Sequence, residues 1–252
     1  MRRTQLRQPR VAELIAGALR DRILDGTYAT GDLLPKQDDL LTEFEVSMPS
    51  LREALLILET EGLIKVRRGN VGGAMVQVPG ASEAGYTLAL VLQTRSVPLD
   101  DVADALRNFE PRCAAACATR KDRKKTVLAL LRQNLTAAEA DLDDPEAFVT
   151  LARSFHEALV DGCGNETMRL VVGSLEVLWS AQTTRLTRDD PGVFANREAR
   201  VASLAEHAEL VEAIAAGDAD GAERVAREHL ARPERGAAYG RGLTVDAGAV
   251  RR

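Results

Sequence analysis

Apolar residues recur at helical spacing along most of this chain, and one short interval departs from that pattern. The interval holds two β-prone runs joined by a basic, glycine-rich tip. The first part of the chain is predicted to form three helices and then two strands, over 11–25, 36–44, 47–62, 63–66 and 74–78. A helix followed at once by a basic-tipped hairpin is the layout of a winged helix, in which the helix enters the DNA major groove and the tip meets phosphates.

The third predicted helix is the candidate for reading DNA, and its first turn offers two caps. Ser47 or Ser50 can accept the free backbone N–H groups there, and with Ser50 in that role Glu53 completes a capping box. Ahead of the first helix, residues 1–10 carry four arginines and no acid. This arm is a solvated, disordered tail or follows the DNA backbone, and the two interpretations are compatible.

Beyond the hairpin the pattern is helical almost to the end of the chain. The predicted helices are 83–93, 98–118, 122–141, 144–161, 164–188, 194–216 and 218–231. The sequence therefore predicts a mainly α protein, with an N-terminal winged helix-turn-helix followed by an all-α helical bundle. Its parts are a DNA-binding domain over 1–78, a linker at 79–82, the bundle over 83–232 and a disordered tail over 233–252.

The charge of the chain supports DNA binding only after it is divided between these parts. The whole chain has a formal net charge of −5. Residues 1–80 hold 11 Lys and Arg against 11 Asp and Glu, whereas the remainder holds 22 against 27. The acidity therefore belongs to the helical part, and the basic groups of the first part cluster at the arm and the wing, as a local DNA footprint requires.

Cysteine content and hydropathy restrict the class of protein further. Cys113, Cys117 and Cys163 make an odd number and a weak metal set, so buried free thiols are predicted. No apolar stretch approaches the roughly 20 residues of a membrane span, and the N-terminus has no signal-peptide core. We therefore predict a cytoplasmic protein with no membrane partner.

Several short motifs of the first part follow the order and spacing of a known family. They are LeuProLysGln at 34–37, ValSer at 46–47, ProSerLeuArgGluAla at 49–54, GluGlyLeu at 61–63 and ArgArgGlyAsn at 67–70. Over roughly residues 10–78 the chain resembles the GntR family of transcription regulators. The resemblance implies binding to double-stranded operator DNA through Lys36, Ser47, Pro49, Ser50, Arg52, Arg67, Arg68, Gly69 and Asn70.

Within that set, the resemblance assigns direct DNA contacts to Arg52 and to the wing-tip residues Arg68 and Gly69. Two positions depart from the family pattern. Gln37 and the acid after it replace the usual acidic–basic pair, and Met48 replaces the usual arginine after the capping serine. The DNA-binding class survives these changes, but no known operator sequence can be transferred.

A second, looser set of motifs lies in the helical part. It consists of Leu106-Arg107 with Glu110, Phe155-His156, Gly164-Asn165, and the run from His207 through Ala213-Ile214 and Gly217-Asp218 to His229. Over roughly 83–232 the chain resembles the all-helical FCD (FadR-like) domain, which binds ligands in one branch of GntR regulators. The resemblance implies an effector-binding and dimerisation domain.

Helix geometry and this resemblance together single out the three histidines. His207 lies ten residues before the turn at Gly217 and His229 twelve after it. Two antiparallel helices put both at similar height, roughly 15–18 Å from the turn at 1.5 Å per residue. In FCD domains these positions, with that of His156 on a third helix, ligate a divalent metal, and imidazoles suit zinc or nickel. Ala152 replaces the aspartate that is the fourth family ligand, which leaves a position for water or an effector carboxylate.

The resemblance also implies a pocket for a small carboxylate effector. Arg107 occupies the family position of an arginine that pairs with an anionic effector, and a guanidinium can hold a carboxylate bidentately. Asn165 belongs to the same motifs and is predicted to line the pocket. Trp179, the single tryptophan, either lines the same cavity or packs in the core.

The leading interpretation is a ligand-responsive DNA-binding regulator, a repressor and not an enzyme, that binds a palindrome as a homodimer. One alternative keeps the regulator fold without metal, with a larger apolar ligand in the pocket. Another is a metal-dependent hydrolase, because three imidazoles plus water also describe catalytic zinc. His156-Glu157 begins a HisGluXxxXxxHis motif, but Val160 occupies its last position.

Overall fold

A computed structural model gives the fold of the protein and describes residues 10–67, 73–189, 196–231 and 242–250. The chain divides into two compact units between Gly80 and Ala81, inside the predicted linker. The predicted wing-tip contacts Arg68, Gly69 and Asn70 lie outside the described residues.

The first unit is built on three helices, α1 (Val11–Leu24), α2 (Gln37–Phe44) and α3 (Met48–Thr60). Each presents its apolar positions on one face, and these faces meet in a single core. The buried leucines and isoleucines of that core are Ile15, Leu19, Ile23, Leu34, Leu40, Leu51, Leu55, Leu58, Leu63 and Ile64. The predicted three-helix unit is therefore present.

Helix α3 begins one residue after Ser47, its N-cap residue, and has Pro49 in its first turn. Proline suits that turn because it has no N–H to leave unpaired and its φ is already helical. Ser50 lies inside the helix, so the alternative in which Ser50 and Glu53 form a capping box is wrong. The hydroxyl oxygens of Ser47 and Ser50 lie 3.2 Å apart.

Two antiparallel strands form the wing, β1 (Ile64–Arg67) and β2 (Gly73–Val76). Ile64 pairs with Val76, and both side chains are buried in the core of the first unit. A bridge from Leu33 adds the chain ahead of α2 to the edge of β2. The base of the wing is therefore fixed to the helices by both backbone pairing and apolar packing.

The described residues of the second unit form seven long helices and a short one. Their bounds are α4 (Ala81–Thr94), α5 (Leu99–Thr119), α6 (Val127–Ala140), α7 (Pro145–Asp161), α8 (Glu166–Asp189), α9 (Arg197–Ala216), α10 (Ala219–Leu230) and α11 (Ala247–Val250). Helix α10 packs along α5, α4 packs along α8, and α7 lies between α6 and α8. A continuous apolar core from α5 to α10 holds the bundle together.

The turn between α9 and α10 sets the relative height of residues on these two helices. Gly217 ends α9 with a φ of 80°, a left-handed conformation that glycine adopts without a Cβ clash. The next residue, Asp218, caps α10 by accepting the N–H of Gly221 at 2.9 Å. This tight connection makes α9 and α10 neighbours in the bundle.

The helix predicted over 122–141 begins later than expected, at Val127. Residues 121–126 form turns, and Arg123 within them donates a hydrogen bond to the carbonyl oxygen of Ile214 at 3.0 Å. That carbonyl belongs to the last turn of α9 and also accepts the N–H of Gly217 at 3.1 Å. The local pattern of polar and apolar residues cannot predict this contact, because Arg123 and Ile214 are far apart in the sequence.

The prediction of a disordered tail over 233–252 is wrong for its described part, residues 242–250. The N–H of Leu99 donates to the carbonyl of Leu243 at 2.9 Å, and the side chain of Val245 is buried. Helix α11 then packs on α4 and α8. The C-terminal segment is thus part of the second unit.

No helix among the described residues is long and apolar enough to cross a bilayer. The three cysteines are free and buried, as predicted. Burial raises the pKa of the Cys113 thiol and raises that of Cys117 to about 12. These two thiols therefore stay protonated at neutral pH and act as apolar core groups.

Candidate metal centre and DNA-binding surface

Three helices of the second unit each place one histidine at a common point inside the bundle. His156 lies on α7, His207 on α9 and His229 on α10. Their exposed fractions are only 3%, 1% and 2%, and one ligand nitrogen from each lies within 4.8 Å of the others. The spacing around the α9–α10 turn therefore brings His207 and His229 together, as the sequence predicts.

The Nε2 atoms of the three rings face one another. His229 Nε2 lies 3.0 Å from His207 Nε2 and 3.4 Å from His156 Nε2. Two nitrogens about 2.1 Å from one ion are about 3.0 Å apart at octahedral angles and about 3.4 Å apart at tetrahedral angles. The separations in the bundle fit the coordination sphere of one divalent metal.

Two carboxylates hold the opposite edges of these rings. His156 Nδ1 donates to Glu110 Oε1 at 2.5 Å, and His229 Nδ1 donates to Glu206 Oε2 at 2.7 Å. Glu110 lies on α5 and is fully buried, while the side chain of Glu206, on α9, is 15% exposed. Histidines that ligate metals are commonly oriented by such acceptors on their second nitrogen.

In neutral imidazole rings, these two hydrogen bonds place the ring proton on Nδ1 of His156 and of His229. A proton on Nδ1 leaves Nε2 with a lone pair, so the lone pairs of His156 and His229 face each other. Two acceptors at this separation repel unless a positive charge lies between them. The donor set of the centre therefore fits a cation.

The third ring is held by stacking. His207 lies parallel to Phe155, with ring centroids 4.0 Å apart and an interplanar angle of 7°. Phe155 directly precedes His156 on α7 and is fully buried. One turn of α7 thus supplies both a ligand nitrogen and the platform that orients a second one.

Ala152 lies on α7 one turn before His156 and is half-buried. Its methyl group cannot coordinate a metal. Among the described residues, the cluster that can hold an ion consists of the three histidines alone. A bound ion therefore keeps coordination positions for ligands from outside the chain.

Sequence reasoning missed the role of both carboxylates. Glu206 carried a signal, because it lies eleven residues before Gly217 and His229 lies twelve after it. The same height argument that pairs His207 with His229 also places Glu206 beside His229. Glu110 belonged to the motif set, but its contact with His156 joins α5 to α7 and follows from no local spacing.

The three predicted effector residues lie in different surroundings. Arg107 is on α5, three residues before Glu110, and forms an ion pair with Asp104. Asn165 is exposed, and its side-chain oxygen accepts the N–H of Met168 at 3.0 Å, close to the start of α8. Trp179 is half-buried and packs against two apolar clusters of the second unit. Of the three, Arg107 is the one that shares a face of its helix with Glu110, which contacts His156 of the histidine centre.

The predicted DNA-binding residues that the structure describes cluster at the starts of two helices and at the end of a strand. Lys36 precedes α2, Ser47 precedes α3, Pro49, Ser50 and Arg52 lie in the first turns of α3, and Arg67 ends β1. Among the described residues, neither helix start has a side-chain cap. Backbone N–H groups there are available for phosphates, as helix N-termini allow.

A winged helix-turn-helix on the same chain as a helical bundle with a buried histidine centre defines a DNA-binding transcription regulator. Residues 11–72 match the family described as "Bacterial regulatory proteins, gntR family", and residues 101–232 match the "FCD domain". The second match covers more than half of the chain, and the protein belongs to the GntR regulators that carry an FCD domain. FCD domains often bind metal, in agreement with the histidine centre.

Individual relatives agree with this assignment. The chain is 28% identical over 237 residues to the HTH-type transcriptional repressor NanR of Salmonella newport, covering 91% of this chain and 86% of that protein. The NanR repressor of Salmonella arizonae matches at 28% identity over 85% of its length. The solved structure of Streptococcus agalactiae GntR superposes with a TM-score of 0.66 at 24% identity, over 87% of this chain and 96% of that chain. The predicted fold class is confirmed, and the relatives are transcription regulators rather than enzymes.

Proposed function

We propose that this protein is a repressor whose binding to operator DNA is controlled by a small carboxylate at a divalent metal in the histidine centre. The observation that supports it most is the convergence of three buried Nε2 atoms on one point. The curated relatives are named as repressors, which favours repression over activation.

In this proposal, the histidines of the centre ligate the ion and the carboxylates orient the histidines. His156, His207 and His229 would ligate zinc or nickel, and the metal when bound supplies positive charge to which a carboxylate can attach. Glu110 and Glu206 keep two of the rings in the tautomer that offers Nε2. Their negative charges also offset the charge of a divalent ion, which lowers the cost of burying it.

The effector carboxylate would enter through the position that Ala152 leaves open. Its second oxygen can then pair with a guanidinium, and Arg107, on the helix that carries Glu110, is the arginine we assign to it. Arg107 now pairs with Asp104, so binding of the effector exchanges one carboxylate for another. Such an exchange makes the site specific for an anionic effector.

On DNA, we propose that a homodimer places one α3 helix in each half-site of a palindrome. Arg52 projects from the first turns of α3 and is exposed, as a base-contacting side chain must be. Arg67, at the exposed end of β1, is assigned to phosphate, together with Arg68, Gly69 and Asn70 of the wing tip. The effector changes DNA binding only if it binds one arrangement of the dimer better than the other.

Among the described residues, the hydrolase alternative lacks a positioned general base at the histidines. Glu157, the acid next to His156, forms an ion pair with Arg153 at 3.6 Å and lines a different cavity. The carboxylates that do contact the centre are already engaged with ring nitrogens. Together with the regulators among its relatives, this favours control of transcription over catalysis.

Zinc should stabilise the protein by itself, and a carboxylate should stabilise it only when zinc is bound. We expect zinc to raise the melting temperature of the metal-free protein, and succinate to raise it further only when zinc is present. A ligand at 100 times its Kd adds about 2.7 kcal/mol to the free energy of unfolding. Thermal unfolding with each combination measures both effects. Equal stabilisation by succinate without zinc would contradict a metal-held effector, and stabilisation by a medium-chain fatty acid alone would favour the apolar-ligand alternative.

Replacing Arg52 with alanine should weaken and broaden DNA recognition. A base-contacting arginine contributes about 1–3 kcal/mol to discrimination, so affinity for the operator should fall by about tenfold or more. A mobility shift on the promoter beside the protein's own gene, at physiological salt, measures the loss.

The matched control is Arg112→Ala, which removes an equally exposed arginine from α5 in the second unit. Its operator affinity should equal that of the parent. Equal affinity of Arg52→Ala and the parent would refute the assignment of Arg52. A parent that forms no sequence-selective complex would refute the regulator itself.

A further inference from the structure

A cavity of about 420 Å³ lies between α7, α8 and the short C-terminal helix α11. Its polar walls come from Arg153, Glu157, Ser180, Thr184, Arg185 and Arg188. The three histidines contribute nothing to these walls. On α7, Arg153 and Glu157 point toward α8, whereas Phe155 and His156 belong to the buried core and the histidine centre. The cavity is therefore distinct from the proposed metal site.

Two polar atoms in the walls of this cavity are buried without a hydrogen-bond partner among the described residues. They are Arg153 Nε and Ser180 Oγ. Ser180 is only 5% exposed. A buried donor or hydroxyl without a partner costs about 1–3 kcal/mol, so both atoms favour an additional polar group in the cavity.

A hydrogen bond to Thr184 orients the guanidinium of Arg153. Its NH1 donates to Thr184 Oγ1 at 2.8 Å, and its Nε lies 3.6 Å from Glu157 Oε1, too far for a hydrogen bond. Burial raises the pKa of Glu157, while the charge of Arg153 acts in the opposite direction. The pair is thus loosely formed and leaves the Nε donor of Arg153 open to a better acceptor.

The remaining walls suit a compact organic body. Arg188 adds an exposed guanidinium at the rim, and Arg185 is held there by an ion pair with Asp246. Val177 and the segment 248–250 of α11 add apolar surface to the walls. The walls combine guanidinium groups and hydroxyls with apolar surface, as binding pockets for small molecules do.

We propose that this cavity is a second ligand site, which takes a small organic acid with one carboxylate on a compact apolar body. The carboxylate accepts from Arg153 Nε and from the rim arginines, and Ser180 Oγ donates to its second oxygen or to a hydroxyl of the ligand. The apolar body lies against Val177 and α11. This inference goes beyond the proposed function, because it needs neither metal nor the histidines.

The C-terminal segment links this site to the first helix of the unit. Gln182 Nε2 on α8 donates to the carbonyl of Asp246 at 2.7 Å, and Gln93 Oε1 on α4 accepts the N–H of Ala247 at 2.9 Å. The next three residues of the same segment, 248–250, form a wall of the cavity. A bound acid therefore holds α11 in place and with it the contact to α4, the helix that follows directly after the first unit in sequence.

Calorimetric titration of the zinc-saturated full-length protein with benzoate and with cyclohexanecarboxylate tests the proposal. We expect at least one acid to bind with a Kd of about 10 mM or tighter. Arg153→Met keeps the length of the side chain but removes the guanidinium, and it should weaken binding by about tenfold or more. Binding should also slow amide exchange of residues 243–250, because α11 forms part of the site.

Controls separate this site from the histidine centre and from loss of the fold. Arg112→Met removes an exposed arginine outside the cavity and should bind as the parent does. Ser180→Ala, a smaller change, should weaken binding even if Arg153→Met does not fold. The proposal is overturned if neither acid binds, or if Arg153→Met and Ser180→Ala both bind as the parent does. If binding is lost in His207→Ala and kept in Arg153→Met, the acid lies at the histidine centre, and the second site fails while the proposed function stands.

Discussion

Zinc binding should be lost when His229 is replaced with alanine. His229 Nε2 lies 3.0 Å and 3.4 Å from the other two Nε2 atoms, so this ring takes part in both of these nitrogen–nitrogen contacts. Its removal leaves two imidazoles, and zinc sites depend on three or four protein ligands. Because the loss of an outer-shell partner alone costs 10–100-fold in affinity, loss of a ligand should cost more than about 100-fold. Competition for zinc with a coloured chelator measures this change.

The same substitution also leaves Glu206 without the ring nitrogen that it now accepts from. Some loss of stability is therefore expected, and far-UV circular dichroism must show that the variant folds. The matched control is Glu228→Ala, the preceding residue on α10, which is exposed and pairs with Arg224 at the surface. That variant should bind zinc as the parent does. Unchanged zinc affinity in a folded His229→Ala would mean that the histidines do not form a metal site.

The fold could be predicted to a large extent because its signals are local. The helices of the first unit end where glycine or a loop residue interrupts the apolar period, and α3 was placed by its leucines at 51, 55 and 58. The bundle helices were likewise set by caps such as Asp144, whose side chain accepts two backbone N–H groups. Each of these features lies within one or two helical turns of the residues that it explains.

The errors share a physical cause, which is contact between residues far apart in the chain. Arg123 donates to a carbonyl of α9 that lies 91 residues away in the sequence. The residues around Arg123 form turns, and α6 therefore begins later than predicted. In sequence, the segment around Val245 resembles a polar, glycine-rich tail, but it pairs with the chain next to Pro98 and packs in an apolar cluster with residues of α4, α5 and α8. A periodic pattern cannot report contacts of this kind.

The candidate site was predictable to the level of its ligands and no further. Similar spacing on the two sides of Gly217 predicts that His207 lies opposite His229, since one turn joins their helices. The position of His156 came from resemblance to a family, because nothing in spacing relates α7 to α9. The same spacing predicts that Glu206 lies beside His229, whereas the contact of Glu110 with His156 follows only from the packing of α5 on α7.

Ala152→Asp should tighten metal binding. Position 152 is one helical turn before His156, so its side chain lies on the same face of α7 as that ligand. The family has an aspartate there, and a carboxylate adds charge attraction to the three imidazoles. We expect zinc affinity to rise by about 10–100-fold, equivalent to about 1.4–2.8 kcal/mol. The same chelator competition measures the gain.

Two matched variants separate charge from size and from position. Ala152→Asn has nearly the shape of the aspartate without its charge, and it should gain less affinity for zinc. Thr150→Asp adds the same charge to an exposed position of α7, two residues away, and should leave zinc affinity unchanged. If the effector carboxylate uses the vacant coordination position, Ala152→Asp should also abolish the added stabilisation by succinate, because an internal carboxylate now fills it. Zinc affinity that is the same in Ala152→Asp and the parent would place residue 152 outside the coordination sphere.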